Sequence, residues 1–193
     1  MLSATATTAY AVRSRGAVVA GTLPLVSMNG EYLRLAPDEL ARALKDPAWA
    51  LELAQDVQDV EDEPDLSPGE ARHLSTDKAW QAIAFILDRA KFPVDIVYGE
   101  GRFADDEDMD WGYGPPRYLT PERVQVASQA LAATSFDQLM AGVTPATLAQ
   151  ADIYPQIWDE PDSLDWIRGW YEPLIPYFSG AAKQAQAMLI WLD

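Results

Sequence analysis

From Glu31 onward polar and large residues alternate, Glu31-Tyr-Leu-Arg-Leu35, the period-two pattern of a strand whose two faces meet different surroundings. The period then lengthens. Pro37-Asp-Glu-Leu40 predicts a helix start, because proline suits the first turn and the acids that follow suit the positive end of the helix dipole. Leu40 and Leu44 give that helix its apolar stripe. Asp46-Pro47 restarts a second helix with Trp49, Leu53 and Val57, and residues 61–69, holding Pro64 and Pro68, read as an exposed loop.

The strongest periodicity lies further on. Ser75-Thr-Asp77 predicts a helix cap, and Trp80, Ile83, Ala84 and Leu87 follow at i, i+3, i+4 and i+7, one continuous buried face. Residues 92–98 read as a buried strand and residues 112–116 as a glycine–proline loop. Thr120-Pro121-Glu122 opens another helix with Val124, Ala127 and Leu131 inward. Ser135-Phe-Asp-Gln138 is a capping box for a short helix stopping near Gly142, and Thr144-Pro145 starts another short one. A helix is expected from about Ser163, with Pro173 and Pro176 ending or bending it. Residues 181–187 read as helical and residues 188–191 as a closing strand. Helices outnumber strands and the two do not alternate regularly, which predicts an α+β fold, a predominantly helical single domain with a small mixed or antiparallel sheet. No repeat of 20–50 residues is visible.

Composition narrows the class. A chain of 193 residues that is 49% hydrophobic can bury one sizeable core, so its net charge of −16 does not signal disorder. With no cysteine there is no disulfide framework, thiolate nucleophile or cysteine-ligated metal, which fits a reducing cytoplasm. All 30 carboxylates fall after Ser27, and 18 of them crowd into residues 52–65, 100–110 and 152–165 beside a single cation, Arg102. Such a surface repels phosphate backbones and anionic lipid heads and attracts basic proteins, so neither nucleic acid nor membrane is an expected partner. Residues 1–27 differ, with Arg13, Arg15 and no acid, and read as a flexible N-terminal extension to a domain over residues 28–193. Removing that extension is expected to leave the domain folded.

Motifs of known chemistry fail on physical grounds. Gly99-Glu-Gly-Arg-Phe-Ala104 matches a dinucleotide fingerprint, but Asp105-Asp-Glu-Asp108 puts anions where two phosphates would sit. Asp106, Asp108 and Asp110 are spaced like the start of an EF-hand loop, yet Trp111 and Arg117 stand where glycine and a bidentate glutamate are needed. His73 is the only histidine and reads as a surface residue; no nucleophile elbow or zinc-protease helix is present. No motif calls for a cofactor, and none is expected.

Six residues remain as ligand-binding candidates. Arg117 is an isolated cation between Tyr113 and Tyr118, able to clamp a carboxylate or to pair with the chain's own acids. Tyr154 and Trp158 belong to an irregular aromatic stretch, and Asp77 and Asp152 lie near aromatics that can raise a carboxyl pKa. For Asp77 a place in the first turn of a helix is a sufficient structural reason.

Four phrases in order, Glu31-Tyr-Leu-Arg-Leu-Ala-Pro-Asp-Glu-Leu40, Asp77-Lys-Ala-Trp80, Gly112-Tyr-Gly-Pro-Pro-Arg-Tyr-Leu-Thr-Pro121 and Asp152-Ile-Tyr-Pro155, resemble the YfbM-like family of bacterial proteins, a domain-of-unknown-function family. The resemblance runs from about Met28 to the C-terminus. It implies a single α+β domain, cytoplasmic and bacterial, and carries no catalytic residues across. The expectation is therefore a non-enzymatic, acidic binding or interaction module for a basic protein. The rival is a small carboxylate-based hydrolase, with or without a weakly bound divalent metal. A pocket gathering Asp77, Arg117, Asp152 and Tyr154 would favour the hydrolase, and their scattering the module. The oligomeric state is left open.

Overall fold

The alternating segment at Glu31 forms β1 (Gly30–Leu35), and both of its faces are buried. It sits second in a five-stranded antiparallel sheet with β2 (His73–Ser75), β3 (Gly101–Arg102), β4 (Arg117–Leu119) and β5 (Ala187–Leu192), in the order β2-β1-β5-β4-β3. The structure is a computed structural model that describes residues 27–61, 66–103 and 110–193. β1 and β5 pair along their whole length, from Gly30 opposite Leu192 to Leu35 opposite Ala187. The chain's first and last described segments thus zip together, and the backbones of Asn29 and Asp193 exchange two further bonds of 2.6 and 3.0 Å.

The pleat sends alternate β1 residues to two separate cores. Leu33 and Leu35 join Leu189, Trp191, Phe103 and Trp111 under α1 (Pro37–Ala43) and α2 (Pro47–Glu61). Tyr32 joins the larger core, built with Met188, Ile190 and Leu119 from the sheet and residues from α3 (Trp80–Arg89), α4 (Pro121–Ala133), α5 (Phe136–Leu139), α6 (Pro145–Gln150), α7 (Ser163–Tyr171) and α8 (Leu174–Lys183). The fold is α+β and helix-rich, as the pattern predicts, with a wholly antiparallel sheet.

Most helix starts follow the local chemistry. Thr120, Ser135 and Thr144 accept from backbone N–H groups three residues on, and Pro121 and Pro145 occupy the first turns. Ala36 has no side chain to cap α1, and the Glu39 carboxylate instead accepts from the Ala36 N–H at 2.8 Å. Pro173 stands at the junction of α7 and α8, and α8 begins just after it at Leu174.

Three expectations need correction. Residues 92–98 form no strand: Asp95 Oδ1 accepts from the N–H groups of Val97 and Tyr98 at 3.2 and 2.8 Å, so a side chain supplies the partners that a neighbouring strand would. His73 is not a surface residue. It lies in β2, and its side chain is 14% exposed against Glu31. The helix expected over residues 181–187 ends at Lys183, and Ala185 takes a positive φ of 51° before β5 begins. Residues 62–65 of the loop expected over 61–69 and the acids at 105–108 lie outside the described residues, as do residues 1–26, most of the expected N-terminal extension. Among the described residues no helix is long and apolar enough to cross a membrane.

Candidate functional site

α3 has two working stripes. Trp80, Ile83 and Leu87 are buried in the core, as their spacing predicts, whereas Ala84, expected on the same face, is only half-buried. Gln81, Ala84, Phe85 and Asp88 repeat the same i, i+3, i+4, i+7 spacing on an adjacent stripe and form one wall of a cleft of about 380 Å³. The opposite wall is the turn after the helix, with Lys91, Phe92, Asp95 and Tyr98, and Ile153 contributes from beyond α6. The cleft joins an aromatic and aliphatic lining to a few polar groups, the usual make-up of a small binding site.

The turn is held in shape by its own chemistry. Besides the two bonds received by Asp95 Oδ1, the Asp95 N–H donates to Glu100 Oε1 at 3.3 Å. Arg123 then grips the far end: its Nε and Nη2 donate to the two Glu100 oxygens at 2.6 and 2.7 Å, and Nη2 reaches the Pro93 carbonyl at 2.7 Å. This fork holds the Glu100 carboxyl below the ordinary carboxylate range. Burial pushes the Tyr98 phenol up, and the neighbouring Asp95 carboxylate adds to that. No described ion pair includes Asp88, Lys91 or Asp95.

Behind the rim stands an aromatic group centred on Trp80. Tyr98 meets it edge-on with ring centroids 5.9 Å apart, and Tyr154 lies tilted at 6.3 Å. The Trp80 indole donates to the Met28 carbonyl at 2.9 Å, and the Met28 N–H donates to the Tyr154 hydroxyl at 3.2 Å. Gln81 Oε1 accepts from the Tyr154 N–H at 2.6 Å. Deeper still, the Tyr32 hydroxyl is fully buried beside the Thr76 hydroxyl, which donates to the Gly30 carbonyl at 3.0 Å.

The six sequence-derived candidates do not converge on this cleft, and none lines it. Tyr113 is exposed beside Asp193 in a separate open recess with Ser27, Asn29 and Gly112. Arg117 lies in β4 opposite Ile190 and packs its stem beside Gly99. Trp158 is a core residue whose indole donates to the Ile153 carbonyl at 2.8 Å. Asp77 takes a positive φ of 46° at the start of the 3₁₀ turn Asp77–Ala79. Asp152 is exposed, with φ 53°, and accepts from Gln156 at 2.9 Å. Tyr154 comes nearest, flanking Trp80 one layer behind the cleft. No described hydrogen bond or ion pair joins any two of the six. Among the described residues no three His, Asp or Glu side chains gather as a metal site.

Sequence reasoning missed Phe85, Asp88, Phe92, Asp95 and Tyr98. The signal for two of them was present, because residues 81, 84, 85 and 88 share a helical face; the rest depend on a turn misread as a strand.

A family model described as a domain of unknown function (DUF1877) matches residues 26–191, nearly the whole described fold. The chain belongs to the DUF1877 family. A solved structure titled as a protein of unknown function, YfbM from Escherichia coli, is similar over 86% of this chain and 99% of its own, with a TM-score of 0.57 and 18% identity. At that identity the likeness shows the fold alone. No curated protein matches the chain. Membership in DUF1877 thus accounts for the architecture and leaves chemistry to the site.

Proposed function

We propose that this DUF1877 protein is a non-enzymatic, intracellular binding module for a basic protein partner. The observation that carries the reading is the dispersal of the groups a hydrolase would need. Asp77, Arg117 and Asp152 sit on different elements, and the Tyr154 hydroxyl is spent on the Met28 backbone. The cleft lining contains neither serine nor histidine, and of its two carboxylates, Asp88 and Asp95, the second is committed through Oδ1 to the Val97 and Tyr98 N–H groups. Against that stands a net charge of −16, which attracts a basic surface from a distance of about a Debye length.

Calorimetric titration with a lysine-rich peptide and a glutamate-rich peptide of equal length, at low and moderate salt, tests the reading. The lysine-rich peptide is expected to bind, and to bind several-fold more weakly as salt rises. Absence of binding to either, or binding indifferent to salt, overturns the proposal. Turnover of ester or phosphoester substrates that disappears on substituting Asp77 or Asp152 would favour the hydrolase instead.

A further inference from the structure

Resting on that reading, we infer that the cleft between α3 and the 91–98 turn receives a short basic–apolar segment of the partner. An apolar side chain seats against Phe85, Phe92 and Ile153, and an adjacent lysine or arginine meets Asp95 and Asp88.

Size is the first argument. A cleft of about 380 Å³ holds roughly a dozen waters at about 30 Å³ each, too many for a single ammonium group. Its water-facing apolar lining comes from the half-buried Phe85 and Phe92, backed by the buried Leu87, Val94, Ile96 and Ile153, and the two phenylalanines gain by exchanging that water for an apolar side chain. A purely cationic ligand would leave this wall wet.

Charge is the second. Asp88 and Asp95 face a single lysine in the lining, and neither takes part in a described ion pair. Asp95 is also oriented in advance. Its Oδ1 is held by the Val97 and Tyr98 N–H groups, and its second oxygen has no described partner. A carboxylate fixed before binding loses little freedom when a cation arrives. An anionic segment would meet two carboxylates against one lysine.

Amide-resolved NMR titration of the full chain with three blocked tetrapeptides, Leu-Lys-Phe-Lys, Leu-Glu-Phe-Glu and Gly-Lys-Gly-Lys, tests this. Leu-Lys-Phe-Lys is expected to shift amides within residues 81–99 and to bind at least ten-fold more tightly than the other two. In Asp88→Asn/Asp95→Asn, which keeps the oxygen that accepts from Val97 and Tyr98, its affinity should fall at least ten-fold while the unbound spectrum stays folded. Equal affinity for Gly-Lys-Gly-Lys, unchanged affinity in the double variant, or shifts confined to other surfaces overturns the inference. Salt-sensitive binding of the lysine-rich peptide that maps elsewhere overturns only the cleft. No binding by any basic peptide overturns the module as well.

Discussion

Glu31 and His73 hold each other across the β1–β2 ladder, Oε2 to Nε2 at 2.8 Å, with side chains only 6% and 14% exposed. The other Glu31 oxygen accepts from the Ser75 hydroxyl at 2.8 Å, and the His73 ring lies against Trp191. One carboxylate thereby ties the edge strand β2 to the β1–β5 centre. Removing it leaves buried polar groups on two residues without this acceptor. Glu31→Ala is expected to cost about 3 kcal/mol, measured by urea unfolding. A cost under about 0.5 kcal/mol would mean that the network carries no stability.

Trp80 joins α3, Tyr98, Tyr154 and the Met28 backbone, and it is 5% exposed. Trp80→Ala should cost roughly 3–5 kcal/mol through lost burial and the cavity left behind. Trp80→Phe keeps much of the ring packing and loses the bond to Met28, so about 1–2 kcal/mol is expected. An unchanged unfolding midpoint for the alanine variant would contradict the core assignment.

Arg123 braces the cleft turn from an exposed position, so its role is local order. Arg123→Gln should change global stability by no more than about 1 kcal/mol. Hydrogen exchange of the amides of Val97, Tyr98 and Gly99 should nevertheless become faster. The lowered Glu100 carboxyl sets the pH window. The brace is complete above the ordinary value of 4.5 and is lost as the pH falls through the lower folded value. Wild-type exchange in this turn should therefore rise selectively in that acid range, and the variant should show no such selective rise.

Gly180 lies within α8, where alanine would ordinarily favour a helix by about 1 kcal/mol. Here an added Cβ would run into the Gly69 carbonyl oxygen and reach 3.0 Å from Arg34 Nη1. Arg34, 1% exposed, donates through that nitrogen to the Gly69 and Ala71 carbonyls and through Nε to Gln186. Gly180→Ala should destabilise by about 1–3 kcal/mol despite the helix preference. A raised thermal midpoint would show that the Gly69 segment moves aside freely.

Tyr171 is fully buried with an unpartnered hydroxyl, and burial pushes its pKa from 10.0 up to about 12. Tyr32 is shifted in the same direction for the same chief reason. The folded chain holds these protons more tightly than the unfolded chain. Their contribution is complete below about pH 10 and fades as the pH rises through the folded values. Absorbance at 295 nm should show at least two of the eight tyrosines, Tyr32 and Tyr171 among them, ionising only together with loss of the near-ultraviolet circular dichroism signal. Ionisation of all eight in a still-folded chain would contradict this.

Local order was legible in the sequence wherever a few neighbouring residues suffice to determine it. The caps at Thr120, Ser135 and Thr144, the restart at Pro47 and the stripe beginning at Trp80 act within one or two turns, so their chemistry is complete in a short window. The strand at residues 188–191 was likewise readable from its own run of large residues. Short strands were not. β2, β3 and β4 have two or three residues each: β2 and β4 exist because β1 and β5 offer them backbone partners distant in sequence, and β3 because β4 does. The same reason hid the cleft. Asp95 reads as one acid among 30 until the turn folds back on α3, and His73 reads as exposed until β2 sets it beside Glu31, 42 residues away. Sequence alone determined most of the helices, the acidity and the resemblance to the family, though not α8, which runs through Pro176 and stops at Lys183. Tertiary structure decided which polar groups are buried together, because burial is a property of distant segments meeting and no local pattern encodes it.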